Sequence, residues 1–220
     1  RGISRARRDF GIQCELRIDL VRNYGPEVGM EVLDWIESKG DNIISIDIGG
    51  SEQKFPPRPF EPVYLRAKKM GLHLVAHAGE AAGPESIWDA VRYLKVEHIG
   101  HGVAALGDSR LMDYLVEQEI VLEMCPTSNV KTGAVPSIEA HPIRAFLERG
   151  LTVTVSTDDP SMFSTDMNNE YVQLHKVLNF SVEELFKLSL NAVDSLFLPQ
   201  KQRIGLKESF MKEYQCLMDE

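Results

Sequence analysis

Six apolar stretches recur along the chain, at residues 14–20, 43–48, 72–77, 97–101, 121–125 and 151–156. They start about 24 to 30 residues apart, the length of one strand–helix unit. Within several of them apolar and polar positions alternate. Leu151, Val153 and Val155 interleave with Thr152, Thr154 and Ser156; Leu16, Ile18 and Leu20 with Glu15, Arg17 and Asp19; Ile44, Ile46 and Ile48 with Ser45 and Asp47. A period of two marks strands with two different faces. The gaps read as helices. Residues 26–39 carry Val28, Val32, Trp35 and Ile36 on one stripe. Residues 59–70 stop at Gly71, residues 84–95 open with Pro84, residues 109–119 open with Ser109 as a cap, and residues 142–149 stop at Gly150. After the sixth strand only helices are predicted, at 167–178, 182–197 and 206–218. Residues 2–8 read as the tail of another helix.

Strands alternating with helices predict a parallel sheet. Parallel strands covered on both faces are usually apolar throughout. A polar inner face therefore predicts a β/α barrel whose lumen holds paired charges. A half-solvated antiparallel sheet would also alternate, but it leaves the intervening helices unexplained. In such a barrel the C-terminal strand ends open onto one face, where chemistry is done. Three of these ends carry chemically able side chains: His77-Ala78-Gly79-Glu80, Ile99-Gly100-His101-Gly102 and Thr157-Asp158-Asp159-Pro160.

Composition narrows the partner. The 220 residues suffice for one large domain, and 1–220 is read as a single unit. A net charge of −9 does not suit a nucleic-acid or anionic membrane surface, so a small molecule is expected. Cys14, Cys125 and Cys216 are too scattered for a disulfide framework and fit a reducing, cytoplasmic setting. No transmembrane stretch or signal peptide is evident in the sequence given.

His77 and Asp158 are the candidate metal ligands, since imidazole and carboxylate both suit zinc. A lone strand histidine is more often a hydrogen-bonded core residue; here both positions are inward and at strand ends. His101, between two glycines that clear space around it, is a candidate to accept a proton from an activated water. Otherwise it is a turn histidine. Glu80 lies in a loop of small residues. On an open surface it would be a solvated charge; in a closed pocket loss of water favours the neutral acid, which can donate a proton. Gly50 can present its N–H to a ligand or simply make a tight turn. His73 is expected deeper in the lumen, His98 on the helix-facing register, and His141 and His175 in structural roles. Cysteine-pair zinc motifs, phosphate-binding loops and nucleophile elbows are absent.

Taken together, Asp47-Ile48-Gly49-Gly50, His77-Ala78-Gly79-Glu80, His98-Ile99-Gly100-His101-Gly102, Cys125-Pro126-Thr127-Ser128-Asn129 and Ser156-Thr157-Asp158-Asp159-Pro160 resemble the adenosine deaminase family of the metal-dependent hydrolase superfamily. The order and spacing match over nearly the whole chain. The resemblance implies a (β/α)8 TIM barrel with one Zn2+ at its mouth. It implies that His77 and Asp158 ligate zinc, that His101 helps activate water, and that Glu80 protonates a ring nitrogen. It also implies that Asp159 and the Gly50 N–H hold other ring nitrogens, on a purine nucleoside substrate.

Two departures stand out. The family's first strand ends in a His-x-His pair, and this sequence has none; it supplies strands three to eight. The barrel is therefore expected to be incomplete, with about six units, and a separate N-terminal fragment or a detached segment is expected to complete it. The second departure is Ser51, where the family often has an aspartate. Adenosine is the leading substrate. Adenine, an N6-substituted adenine nucleotide and aminodeoxyfutalosine are alternatives, as is a non-catalytic purine-binding barrel.

Overall fold

The computed structural model describes residues 2–39 and 42–219. Its strands are β1 (Leu16–Val21), β2 (Ile43–Gly49), β3 (His73–Ala78), β4 (His98–His101), β5 (Val121–Met124) and β6 (Thr152–Val155). They pair side by side in chain order, all parallel, in one sheet. The helices are α1 (Gly2–Phe10), α2 (Gly25–Lys39), α3 (Glu61–Lys69), α4 (Pro84–Asp89), α5 (Ser109–Glu117), α6 (Pro126–Lys131), α7 (Ile143–Arg149), α8 (Pro160–Phe163), α9 (Met167–Leu178), α10 (Val182–Ser195) and α11 (Gln200–Met218). Among the described residues no helix is long and apolar enough to cross a membrane.

The expected elements are present with shifted ends. The helix expected at 84–95 is α4 followed by a wider helical turn over Ala90–Leu94. Asp108, not Ser109, caps α5, because its carboxylate accepts the N–H groups of Arg110 and Leu111. The short helices α6 and α8 were not foreseen; each opens with a proline directly after a strand-end loop.

The two faces of the sheet differ as the alternation requires. Ile46, Ile48, Leu74, Ile99, Leu122 and Val153 are buried against the helices, where Leu33, Tyr64, Leu111 and Phe146 are also fully enclosed. On the inner face Arg17 of β1 makes a bidentate pair with Glu123 of β5, at 2.6 and 2.7 Å. In a flat sheet these strands would lie about 19 Å apart, four strand spacings. Their contact shows that the sheet curls into a barrel wall. Donors from Arg17 and His98 overcome the burial of the Glu123 carboxyl and hold it below the usual carboxylate range. Among the described residues β1 and β6 are the edges, and Asn191 of α10 donates to the Val153 carbonyl of β6 at 3.0 Å.

The ladder between β2 and β3 covers only Ser45↔His73 and Ile46↔Leu74. Beyond it the strands part, and the Asp47 carboxylate takes over: its Oδ1 accepts the N–H of Ile48 at 2.8 Å and of His77 at 3.0 Å. The opening of the sheet thus places a carboxylate beside the end of β3.

Candidate active site

The Asp47 carboxylate also fixes the His77 ring, with Oδ1 3.0 Å from Nδ1. That bond puts the proton on Nδ1 and leaves Nε2 as the ligand nitrogen, the usual arrangement of metal-bound histidines. The ring lies against Gly100: a Cβ there would meet its Cγ and Nδ1 at 3.2 Å. The glycines around His101 therefore serve its neighbours. Gly100 makes room for His77, and a Cβ on Gly102 would meet Leu122 at 2.9 Å.

His77, His101, Cys125 and Asp158 share one cavity of about 300 Å³ at the C-terminal strand ends. The His77 and His101 rings meet edge to face, 5.1 Å between centroids. His101 Nε2 lies 3.5 Å from Glu80 and 4.0 Å from Asp158 Oδ2. Thr132 Oγ1 donates to the other Glu80 oxygen at 2.9 Å, and Ser128 Oγ to Asp158 Oδ2 at 2.7 Å. Among the described residues two groupings of donor atoms fall within 4.8 Å: His101, Cys125 and Asp158 in one, Asp19, Asp47 and His77 in the other. His77 and Asp158 fall in different groupings but line the same cavity. The structure therefore brings four of the six expected residues together. Among the described residues no hydrogen bond joins Gly50 or the Asp159 side chain to those four; both are exposed, Gly50 just after β2 and Asp159 just after β6.

His101 and Asp158 adopt left-handed backbone, with φ of +64° and +57°. Non-glycine residues there cost about 1 kcal/mol or more each, and such strain gathers at functional sites. It also explains a misreading. Strict alternation puts His98 on the helix side if His101 points inward. The turn at His101 breaks the alternation, so His98 is an inner residue too, 2.8 Å from Glu123.

Electrostatics sort the groups. Burial opposes charge on His77, but Asp47 first, then Asp19 and Asp158, outweigh it and raise its pKa to about 9. The surroundings favour a cation at this ring. Burial pushes His101 down, assisted by His77, against the pull of Glu80 and Asp158. Burial, with carboxylates nearby, drives the Cys125 thiol well up, so it stays protonated and is a poor ligand.

A hydrogen-bond chain sets the tautomer of His101. The Ile143 N–H donates to His141 Nδ1 at 3.3 Å. Burial, then His101, pushes His141 down to about 4, so it is neutral and its proton sits on Nε2. That proton goes to Asn129 Oδ1 at 3.2 Å, and the Asn129 amide then donates to His101 Nδ1 at 2.9 Å. Neutral His101 consequently offers Nε2–H to the cavity. In this tautomer the nitrogen that faces the cavity is a donor.

The family model for adenosine deaminase matches residues 1–213. The chain belongs to the adenosine deaminase family. An adenosine deaminase of Escherichia coli is 38% identical over 207 residues, covering 94% of this chain and 62% of that protein. An adenine deaminase structure from Arthrobacter aurescens aligns with a TM-score of 0.93 and 33% identity, over 97% of this chain and 65% of that one. A zinc-bound amidohydrolase structure from Burkholderia ambifaria gives 0.92 and 25%, over 99% and 61%. The chain thus spans less than two thirds of each of these relatives.

Several residues that shape this adenosine deaminase-family site carried no role in the sequence reading. Asp47 was visible in the polar register of β2, but its partner lies thirty positions on. Ser128 and Asn129 stood inside a matching string without a function. His141 was set aside as structural, yet it orients Asn129. His175 bonds the Phe180 carbonyl at 2.8 Å, as a structural residue does. Arg22 is fully buried and ties Ile48 and His77 carbonyls together at 3.2 and 2.6 Å.

Proposed function

We propose that this chain carries most of the active site of a zinc-dependent hydrolytic deaminase acting on adenosine or a close aminopurine. The observation that carries it is the His77 ring, held at Nδ1 by Asp47 and sharing one cavity with His101 and Asp158, with Glu80 beside His101. The donor set fits the ion. His77 Nε2 and the Asp158 carboxylate would hold one Zn2+ per complete site, and the carboxylate excess around His77 suits a divalent cation. Bound zinc would lower the pKa of a coordinated water so that hydroxide is available near neutrality.

The chain's own groups supply the rest. His101 donates Nε2–H and aims the attacking water. Asp158, steadied by Ser128, takes that water's proton. Glu80, held by Thr132, gives a proton to the ring nitrogen next to the carbon under attack. Gly50 N–H and Asp159 hold other ring nitrogens. The balance is simple. Water gives its oxygen to the ring carbon, one proton ends on the ring nitrogen, and the amine leaves with the other as ammonia. The C–N bond breaks and an oxo-purine results.

A second reading shares every step: adenine as substrate, favoured by the adenine deaminase likeness. A non-catalytic purine-binding barrel has no need of strained backbone at both His101 and Asp158. Residues 1–220 form one domain in this reading, and the gap between β1 and β6 is where two further strands, on a separate fragment or on further sequence, complete the wall. The deciding experiment is a panel of adenosine, adenine and N6-substituted nucleotide with the zinc-loaded holoenzyme, followed by ammonia release. Ammonia from none of them, with zinc bound, overturns the enzyme reading.

A further inference from the structure

The loop after β3 that carries Glu80 is held by a residue outside the proposed chemistry. Glu52 is 7% exposed, and its two carboxylate oxygens face five donors. Oε1 accepts from the Gly79 N–H and the Ser86 hydroxyl. Oε2 accepts the N–H groups of Glu80 at 3.1 Å, Ala81 at 2.7 Å and Ala82 at 3.1 Å. Consecutive backbone N–H groups curled round one anion form a nest. Gln53 adds a bond to the Ala81 carbonyl at 2.7 Å. Burial alone would favour the neutral acid; the Ser86, Gly79, Ala81 and Ala82 donors reverse that and keep Glu52 ionised.

The other end of this segment is held as firmly. Gly50 has φ +100°, and a Cβ there would meet Asn23 Oδ1 at 2.5 Å. The same Asn23 oxygen accepts the Ser51 N–H at 2.9 Å. Only Ser51 separates Gly50 from Glu52. Glu52 therefore joins two loops: the one bearing the Gly50 N–H and the one bearing Glu80.

We propose that Glu52 is a positioning residue, a clamp that fixes the Glu80 acid relative to the Gly50 N–H so that both meet the same purine ring. This rests on the roles given to Glu80 and Gly50 above. Glu52→Gln puts an NH2 opposite backbone N–H groups, so at least one part of the nest opens. Misplacing an acid by about 1 Å costs about a hundredfold in rate.

The test uses the zinc-loaded holoenzyme. Glu52→Gln is expected to lower kcat about tenfold to a hundredfold, with a smaller change in KM and unchanged zinc content. Amide hydrogen exchange at residues 79–82 should accelerate. In a Glu80→Gln background the same substitution should add little, because the clamp acts through Glu80. Ser86→Ala, which removes one donor and leaves no buried group stranded, should give a several-fold fall and partial loss of protection; it serves if Glu52→Gln does not fold. A crippled Glu80→Gln beside a wild-type rate in Glu52→Gln and in Ser86→Ala overturns the clamp alone. So do fully additive losses, or unchanged exchange at 79–82. A wild-type rate in Glu80→Gln overturns the assignment of Glu80, and the role of Glu52 with it.

Discussion

Both ends of the barrel lumen carry a pair of histidines beside carboxylates, yet the two pairs keep different company. At the lower rim His73 pairs with Glu97 at 2.9 Å and His98 with Glu123 at 2.8 Å. Phe197, from the loop after α10, stacks on both rings, with centroids 4.0 and 4.4 Å away. One aromatic side chain is the neighbour that both rings share. At the upper rim His77 and His101 meet across a cavity with no phenylalanine, tyrosine or tryptophan among its described lining residues, and Asp19, Asp47 and Asp158 stand around the two rings. The difference teaches that a histidine–carboxylate pair is not itself a site. What counts is whether the second ring nitrogen faces space shared with other donors.

The sharpest way to break this contrast is to remove one carboxyl function at each rim. Glu80→Gln at the upper rim is expected to lower turnover by about 10²- to 10⁴-fold, the usual worth of a general acid, while zinc stays bound. Glu97→Gln at the lower rim should leave turnover within about twofold, since it removes only a surface-type pair. Steady-state ammonia release and metal analysis check both. Equal losses at the two rims would erase the distinction.

Asp47→Asn comes next. Losing the partner of a ligand histidine costs about 10- to 100-fold in metal affinity. The wild type should also bind metal more tightly as pH rises toward about 9, because the proton on His77 must leave first. The sign for folding is the opposite. A histidine raised from 6.5 to about 9 stabilises the metal-free protein fully below about pH 6.5, and that contribution is lost as pH rises through about 9. Asp47→Asn should flatten both profiles. Chelator competition and denaturant melts of the metal-free protein from pH 6 to 10 measure them.

Much of this was legible in the chain, for identifiable reasons. The period-two pattern and the regular strand spacing are local signals, so six parallel strands and a polar lumen could be read directly. That His77, Glu80, His101 and Asp158 lie near one another could be anticipated because strand ends are marked by glycine and proline. What escaped depended on distance or on a single dihedral. No local pattern tells that Glu52 accepts from residues 79–82, or that Arg17 meets Glu123 across the lumen. The inward turn of His98 follows from φ at His101, which the apolar pattern does not encode.

Asn129→Asp sharpens the upper rim itself. A carboxylate at 129 can only accept, so the neutral His101 proton should move from Nε2 to Nδ1. The ring then presents a lone pair where it had a donor. A fall in kcat of about tenfold is expected, with zinc retained. Nitrogen-15 shifts of the His101 ring read the tautomer without reference to activity. A wild-type ring already protonated on Nδ1 would refute the chain running from Ile143 through His141 and Asn129.

The smallest effect on turnover belongs to Phe197→Ala, and it tests the contrast from below. Phe197 is half-buried, so its removal should cost about 2 kcal/mol, less than the 3–5 typical of a fully enclosed phenylalanine. For a chain of this size that lowers Tm by about 4–8 °C. Turnover and metal content should not change, because among the described residues the side-chain hydrogen bonds that lead from the lower rim to His77 run through Glu123, Arg17 and Asp47. The Arg17–Asp47 contact is long, 3.4 Å, and Asp47 is already engaged by His77 and two backbone N–H groups. That contact is therefore the weakest link in the bonded path to His77, and a melt shifted by several degrees with unaltered kcat is the outcome that agrees with it. A parallel fall in metal affinity would mean that the two rims are one electrostatic unit, joined through Arg17.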